Sequence, residues 1–399
     1  MSEENTMNTP FSAVMQITKR SNIVYTQGKG SWLWDDKGKK YLDFIQGWAV
    51  NTLGHCPDEI SNVLLEQSTR LINASPAFYN EPMVKCANTL VNYSVFDQVF
   101  FANSGAEANE GAIKLARKWG QNKKSGAWKI ITFDKSFHGR TLTTMAASGK
   151  AAFESLFEPK TEGFIKVHFN DIDAVEKAID DSVVAIMLEP IQGEAGVIPA
   201  TPQFITALRK LADKHQILLI FDEIQTGIAR TGHLFSYEGY HVAPDIMTLA
   251  KGLGGGVPIA ALLAKEHCCV FEYGDQGGTF NGNPLMTAVA HVIIEKVAKP
   301  SFLKNIKRTS RLLLTGLEKL SKQYDLGKVR GKGLLLALDT VNINANQIVQ
   351  KALEQGLIIN APNENTLRFM PALTVSASEI KEMLQILSNV LSSFFVFSE

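Results

Sequence analysis

The sequence predicts an α/β fold: a large domain on a mostly parallel sheet flanked by helices, plus a smaller α+β domain assembled from the N- and C-terminal segments. Two observations carry this. Short apolar runs of strand length alternate with helix-like segments through the middle of the chain, and near residue 300 that alternation gives way to a long amphipathic helix and shorter strand-like runs. With 399 residues, 45% of them apolar, the chain can fill a large core and more than one domain.

The strand-like runs are QVFFA (98–102), KIITF (129–133), VVAIML (183–188), ILLIFD (217–222), IMTLA (246–250) and IAALLA (259–264). Such runs belong in a sheet covered on both faces. Candidate helices Ala106–Trp119 and Pro202–His215 lie between them, and in sheets of this kind ligands gather at the carboxyl ends of the strands. The expected boundaries are 1–60 for an N-terminal segment of the small domain, 61–299 for the large domain and 300–399 for the C-terminal part of the small domain. GSWLWDDKGKKYLDF (30–44) reads as a hairpin. Beyond residue 300, SFLKNIKRTSRLLLTGLEKLSKQY reads as the long helix and GLLLALD, LIIN and TLRFM as strands. Ser376 with Glu379 has the spacing of a capping box that opens a last helix to about Phe397.

Forty basic residues balance forty acidic ones, so nothing points to nucleic acid or an anionic membrane as a partner, and no apolar run approaches the length of a membrane span. The start, MSEENTMNTPFSAVM, lacks a basic-then-apolar signal pattern, so the expectation is a cytoplasmic chain without a leader. Cys56, Cys86, Cys268 and Cys269 form no CxxC, and reduced thiols are expected. The eight histidines show no ligand spacing, and no metal site is expected.

Three stretches carry chemistry. NSGAEANEGAIKLARKW (103–119) follows a predicted strand, and Ser104 with Glu107 makes a capping box at its start. Small residues Gly105 and Ala106 leave backbone N–H groups accessible, which suits a phosphate; the alternative is an ordinary strand–helix turn. The stretch is not a P-loop, and GLGGG (252–256) lacks the spacing of a dinucleotide fingerprint. In IMTLAKGLGGGVPIAALL (246–263), Lys251 ends a buried strand and four glycines fall within the next five positions. Either its stem lies along apolar surface with the ammonium in water, or desolvation lowers the pKa of an amine that forms a Schiff base, with the glycines clearing room for a ligand. In FDEIQTGIARTG (221–232), Asp222 closes an apolar run, and a buried carboxylate needs a cationic partner, either a structural one or a protonated pyridine nitrogen. A lysine for an aldehyde, a phosphate site and an aspartate together describe pyridoxal phosphate chemistry.

On these residues the chain resembles the class III (ornithine and ω-amino acid) aminotransferases, of fold type I among pyridoxal-phosphate enzymes, over nearly its whole length. The resemblance rests on Phe221-Asp222-Glu223-x-Gln225-Thr226-Gly227-x-x-Arg230-Thr231-Gly232 and on Ala250-Lys251-Gly252-Leu253-Gly254. It extends to the members acting on acetylornithine through Gly54-His55, Asn103 to Asn109 and Phe137-His138-Gly139-Arg140-Thr141. It implies pyridoxal 5′-phosphate as cofactor, Lys251 as the Schiff-base lysine and Asp222 as the partner of the ring nitrogen. Phe137 and Ile224 would take the two ring faces, Gln225 the neighbourhood of the ring hydroxyl, and Ser104, Gly105 and Ala106 the phosphate. Thr279, in GGTFNGNP, would reach the phosphate of a neighbouring subunit, which implies a homodimer. The family often has a second hydroxyl residue before it, where this chain has Gly278.

The resemblance further implies Arg368 for the carboxylate on the reacting carbon of glutamate, Glu194 as its releasable partner, and Arg140 for the distal carboxylate. Without glutamate an unpartnered buried guanidinium would cost several kcal/mol, which is the reason for the glutamate partner. Trp48 stands where plain ornithine aminotransferases carry a tyrosine, and its apolar surface favours a blocked α-amine. Glu189 is left without a definite role. The implied activity is ping-pong transfer of the δ-amino group of N2-acetylornithine to 2-oxoglutarate, giving N-acetylglutamate 5-semialdehyde and glutamate, as in arginine biosynthesis. Alternatives are aminotransfer from succinylornithine, succinyldiaminopimelate, ornithine or 4-aminobutyrate, or an aminomutase that needs no external keto acid. A non-catalytic scaffold would have no use for the intact lysine, aspartate and phosphate site.

Overall fold

The computed structural model of the chain describes residues 11–395. Phe397, expected near the end of the last helix, and most of the start read for a leader lie outside the described residues. Seven strands form the large sheet in the order Gln98–Ala102, Ala260–Ala264, Ile246–Leu249, Leu218–Asp222, Val183–Leu188, Lys129–Phe133, Phe164–Val167. From Ile246–Leu249 to Phe164–Val167 all neighbours are parallel, whereas Ala260–Ala264 runs antiparallel to both of its neighbours.

Six of these strands match the apolar runs. The seventh, FIKV, is a sheet edge with Lys166 exposed and its neighbours only half-buried, so its composition gives no continuous apolar run. Alternate residues of each strand face opposite layers. In Leu218–Asp222, Leu218 and Ile220 pack with Ala112, Ile113 and Ala116 of the helix Gly105–Lys123, while Leu219 and Phe221 join Phe204, Ile205 and Leu208 of the helix Pro202–His215. Each such fully buried aliphatic contributes roughly 1.5–3 kcal/mol of transfer free energy. Both faces are therefore sealed, and polar groups of the central strands are left at their carboxyl ends.

The C-terminal part forms a four-stranded antiparallel sheet in the order Val329–Lys332, Leu335–Asp339, Thr366–Phe369, Asn360–Asn363. The helix Pro300–Gln323 leads into it, and the helix Ala377–Ser392 opens on the expected Ser376–Glu379 capping box. Near the N-terminus, Tyr25–Lys29, Trp32–Asp35 and Lys40–Asp43 form an antiparallel meander, and Lys40–Asp43 takes Leu357–Ile358 as a parallel neighbour. The N-terminal strands are thus hydrogen-bonded to the C-terminal segment. No helix among the described residues is long and apolar enough to cross a membrane.

Directly after this meander the backbone makes a left-handed turn. Gln46, Gly47, Trp48 and Ala49 have φ of 51°, 61°, 65° and 64°. Left-handed backbone costs a side-chain-bearing residue roughly 1–2 kcal/mol. Asp43 holds the entry to the turn: Oδ1 accepts the N–H groups of Ile45 and Gln46 at 2.8 and 2.9 Å, and Oδ2 lies 2.8 Å from His55 Nε2.

Candidate active site

The register of the large sheet sets Asp222 beside Thr248, and Lys251 follows that second strand after only Ala250. Both face one cavity of about 460 Å³ at the carboxyl ends of the strands. Ala250 leaves the sheet at φ −161°, ψ −141°, and Lys251 itself has φ 40°. The glycines behind it serve mainly the turn. A Cβ on Gly254 would stand 2.0 Å from the Val257 carbonyl oxygen, and of the four glycines only Gly256 lines the cavity. Burial pushes the Lys251 amine below its ordinary pKa, and Arg368 acts the same way, against the opposing charges of Glu194, Asp222 and Glu189. Burial therefore shifts this amine towards its neutral, nucleophilic form.

Asp222 is buried in a polar network. Its Oδ1 accepts the Ile224 N–H at 3.1 Å, and its Oδ2 accepts Asn109 Nδ2 at 2.8 Å and lies 2.8 Å from His138 Nδ1. Asn109 also donates to the His138 carbonyl at 2.7 Å and accepts from Thr248 Oγ1 at 2.7 Å. Burial opposes a charge on His138, but the hydrogen bond to Asp222 and the charges of Asp222 and Glu189 outweigh it and raise its pKa. His138 and Asn109 thus converge on a single oxygen of Asp222, Oδ2, from two different segments.

The helix Gly105–Lys123 points its N-terminus at the cavity, where Ser104, Gly105 and Ala106 form part of the wall. Glu107 Oε2 accepts the N–H groups of Asn103 and Ser104 at 2.6 and 3.2 Å, and Ser104 Oγ accepts that of Glu107 at 3.3 Å. The N–H groups of Gly105 and Ala106 have no partner among the described residues and stand at the positive end of the helix dipole. A Cβ on Gly105 would come within 2.8 Å of Ile224 Cδ1, so the glycine lets Ile224 lie against this turn.

Phe137 and Ile224 both line the cavity. Gln225 lines it too, with both amide atoms buried and without a hydrogen-bond partner. The donor set fits a phosphorylated aromatic aldehyde with a basic ring nitrogen: free N–H groups for the phosphate, Lys251 for the aldehyde, Asp222 for the nitrogen, apolar faces for the ring and an unspent amide for a ring substituent.

Two arginines address this space from different parts of the fold. Arg140 is exposed at the cavity wall, its guanidinium carbon 5.9 Å from the Phe153 ring. Arg368, in the strand Thr366–Phe369, is wholly buried behind Glu194. It donates to Asn360 Oδ1, the Gly193 carbonyl and Glu194 Oε1, each at 2.8 Å. Burial opposes the Glu194 charge, but Arg368 outweighs it and holds the carboxyl below its ordinary range. The Trp48 ring lies 5.4 Å from the Arg368 guanidinium carbon and is half-exposed.

The cavity thus gathers the predicted ring, phosphate, lysine, Glu194 and Arg140 positions. Arg368 and Trp48 are not part of the lining: Arg368 is paired with Glu194, and Trp48 stands beside Arg368. Thr279 lies exposed outside the cavity lining, on a loop tied to the rim where Asn281 Oδ1 accepts Asn103 Nδ2 at 2.8 Å. Gly278 belongs to that loop's packing, since a Cβ there would meet Asn281 Cγ at 2.7 Å.

Sequence reasoning missed His138, Asn109 and Thr248 around Asp222. One signal was present: Asn109 is a polar residue on the same helix face as Ala108, Ala112 and Ile113, and a buried amide on an apolar face needs partners. Glu189 also lines the cavity; burial pushes its carboxyl up to about 7, with Asp222 adding to the shift and His138 opposing it.

Comparison with known proteins covers nearly the whole chain. A family model for aminotransferase class-III matches residues 15–391. The acetylornithine aminotransferase 2 of Bordetella pertussis is 54% identical over 385 residues, which cover 96% of this chain and 97% of that protein. Among solved structures, the ornithine aminotransferase from Toxoplasma gondii superposes with a TM-score of 0.92 at 32% identity, covering 96% of this chain and 93% of its own. The N-acetylornithine aminotransferase from Stenotrophomonas maltophilia superposes with a TM-score of 0.83 at 37% identity, covering 95% and 98%.

Proposed function

The chain belongs to the class-III aminotransferase family, and on that premise we propose that it transfers the δ-amino group of N2-acetylornithine to 2-oxoglutarate, in the cytoplasm and as a homodimer, with pyridoxal 5′-phosphate as cofactor. The observation that carries the reading is the convergence of Lys251, Asp222 and the free N–H groups of Gly105 and Ala106 on one cavity, where Glu194 lines the wall and pairs with the buried Arg368.

Pyridoxal phosphate, when bound, supplies an aldehyde that captures amines and a ring that accepts the electron pair of the reacting carbon. Around it this chain's residues have separable tasks. Gly105 and Ala106 hold the phosphate, with Ser104 beside them, and Thr279 serves the phosphate of the partner subunit. Asp222, oriented by His138 and Asn109, would partner the ring nitrogen. Phe137 and Ile224 confine the ring, and Gln225 answers its hydroxyl. Lys251 Nζ would capture the aldehyde and would carry a proton to and from the substrate's reacting carbon, a task suited to an amine whose pKa burial has lowered.

Substrate choice follows from the arginines. Arg140 clamps the distal carboxylate of either substrate. Arg368 reads the carboxylate on the reacting carbon of glutamate, and Glu194 occupies the guanidinium when the ω-amino substrate, which has no such group, is bound. Trp48 presents an indole face where a free α-amine would want a hydrogen-bond partner, which favours the acylated donor.

The test is a visible spectrum of the protein loaded with pyridoxal phosphate, titrated separately with N-acetylornithine, ornithine, 4-aminobutyrate and glutamate. Bleaching by N-acetylornithine and by glutamate, reversed by 2-oxoglutarate, is the expected result. Preferential bleaching by ornithine or 4-aminobutyrate moves the donor assignment, and no band at all removes the reading.

A further inference from the structure

Glu189 is a buried acid of the cavity lining that the proposed reaction leaves without a task. It follows the strand Val183–Leu188 and is 7% exposed. Its two oxygens are divided between two loops: Oε1 accepts the Phe137 N–H at 2.8 Å, and Oε2 accepts the Gly193 N–H at 3.3 Å. Neither donor lies in a helix or strand, and neither N–H has a backbone acceptor among the described residues: Glu189 is the acceptor of both, while the Gly193 carbonyl takes long turn bonds from the Gly196 and Val197 N–H groups at 3.4 Å.

Each donor carries a part of the site. Phe137 walls the cavity, and the next residue, His138, faces Asp222. The Gly193 peptide is held from both sides, since its N–H meets Glu189 and its carbonyl accepts Arg368 Nη1 at 2.8 Å. The residue after it, Glu194, is the ionic partner of that same arginine. Gly193 also lies flush against Gln225: a Cβ there would fall 1.7 Å from Gln225 Oε1, which leaves no room for the peptide to move that way. One carboxylate therefore links the ring wall to the carbonyl and the carboxylate that hold Arg368.

We propose that Glu189 is a positioning residue that sets the seat of Phe137 and the placement of the Gly193–Glu194 segment together, and through the latter the aim of Arg368. Two N–H donors need two acceptor oxygens. A carboxylate provides both, whereas an amide of the same shape provides one and turns a donor against the other N–H. The geometry stands on its own; the consequence for substrates rests on the proposed aminotransferase reading.

Glu189→Gln preserves volume and tests the link in two ways. In the cofactor-free protein, amide hydrogen exchange is expected to speed up by about tenfold in the peptides containing Phe137 and Gly193, the loss of a hydrogen bond of ordinary strength, with other segments unchanged. In the loaded enzyme, the half-saturating concentration of glutamate is expected to rise by about tenfold, while that of N-acetylornithine, which has no carboxylate for Arg368, stays within about twofold. Faster exchange in only one of the two segments or in neither, or an equal rise for both substrates, overturns the proposal. Failure of the aminotransferase reading shows separately, as a wild-type protein that forms no visible band with pyridoxal phosphate while the exchange result stands.

Discussion

Arg368 and Glu194 are joined by a 2.8 Å ion pair in which the guanidinium is fully buried and the carboxylate is partly open to the cavity. One partner is fixed in a strand and held by Asn360 and Gly193 as well; the other sits on a turn and has no second hydrogen bond among the described residues. The asymmetry makes Glu194 the member that can leave.

Glu194→Ala removes the occupant of Arg368 when no α-carboxylate is present. Glutamate is expected to half-saturate at lower concentration, and N-acetylornithine to bleach the cofactor band more slowly. The folded protein is expected to lose about 1–3 kcal/mol, toward the lower end because the glutamate is partly solvated. Paired spectral titrations and a urea melt measure both.

His138→Ala takes away one of the two side-chain donors to Asp222 Oδ2. A hydrogen bond to a charged group is worth about 1.5–3 kcal/mol, so affinity for pyridoxal phosphate is expected to fall by roughly ten- to a hundredfold. Equilibrium binding followed by absorbance checks it, with Asn109→Ala as the parallel case. Unchanged affinity in both would remove the network from any role in holding the cofactor.

Lys251 is predicted to react ahead of exposed lysines. Its amine lies below the ordinary value of 10.5, so more of it is neutral at a mildly alkaline pH. Limiting pyridoxal phosphate followed by borohydride, with peptide mapping, is expected to find the label on Lys251. Its labelling rate is expected to level off at a lower pH than that of surface amines.

Glu223 carries a pH prediction away from the chemistry. Burial pushes its carboxyl from 4.5 up to about 8, although it accepts the N–H groups of Ser236 and Tyr237 at 2.5 and 2.8 Å. The folded chain therefore keeps a proton that the unfolded chain has lost, and this group's contribution to stability declines as pH rises from 4.5 to about 8. Compared with Glu223→Gln, the wild-type urea midpoint is expected to fall across that window; parallel curves would place the Glu223 titration elsewhere.

Much of this was legible in the chain. The apolar runs marked six of the seven large-sheet strands, and the capping residues Ser104 and Ser376 marked two helix starts, because both signals are local. The edge strand FIKV stayed hidden, since an edge needs no continuous apolar run. Asp222 and Lys251 were readable as strand-end residues of the wrong polarity for their surroundings. The partners of Asp222 were not, because Asn109, His138 and Thr248 come from three separate segments that only the tertiary fold brings together. The left-handed turn under Trp48 was equally silent, since only one of its four residues is a glycine.

Arg230 is buried where the Asp222 motif meets the C-terminal sheet, and donates to the carbonyls of Leu334 and Pro371 at 3.0 and 2.6 Å. Leu334 returns a bond to the Arg230 carbonyl at 2.9 Å. Arg140 extends from a loop of the large sheet and Arg368 from a strand of the C-terminal one, so the span between the two guanidiniums is set by how the two sheets are joined. In the proposed reaction the protein works as a calliper whose jaws are the two arginines and whose set-screw is Arg230. Its gauge is the number of carbons between a substrate's carboxylates, and recalibrating it for a longer or shorter diacid calls for changes at that joint.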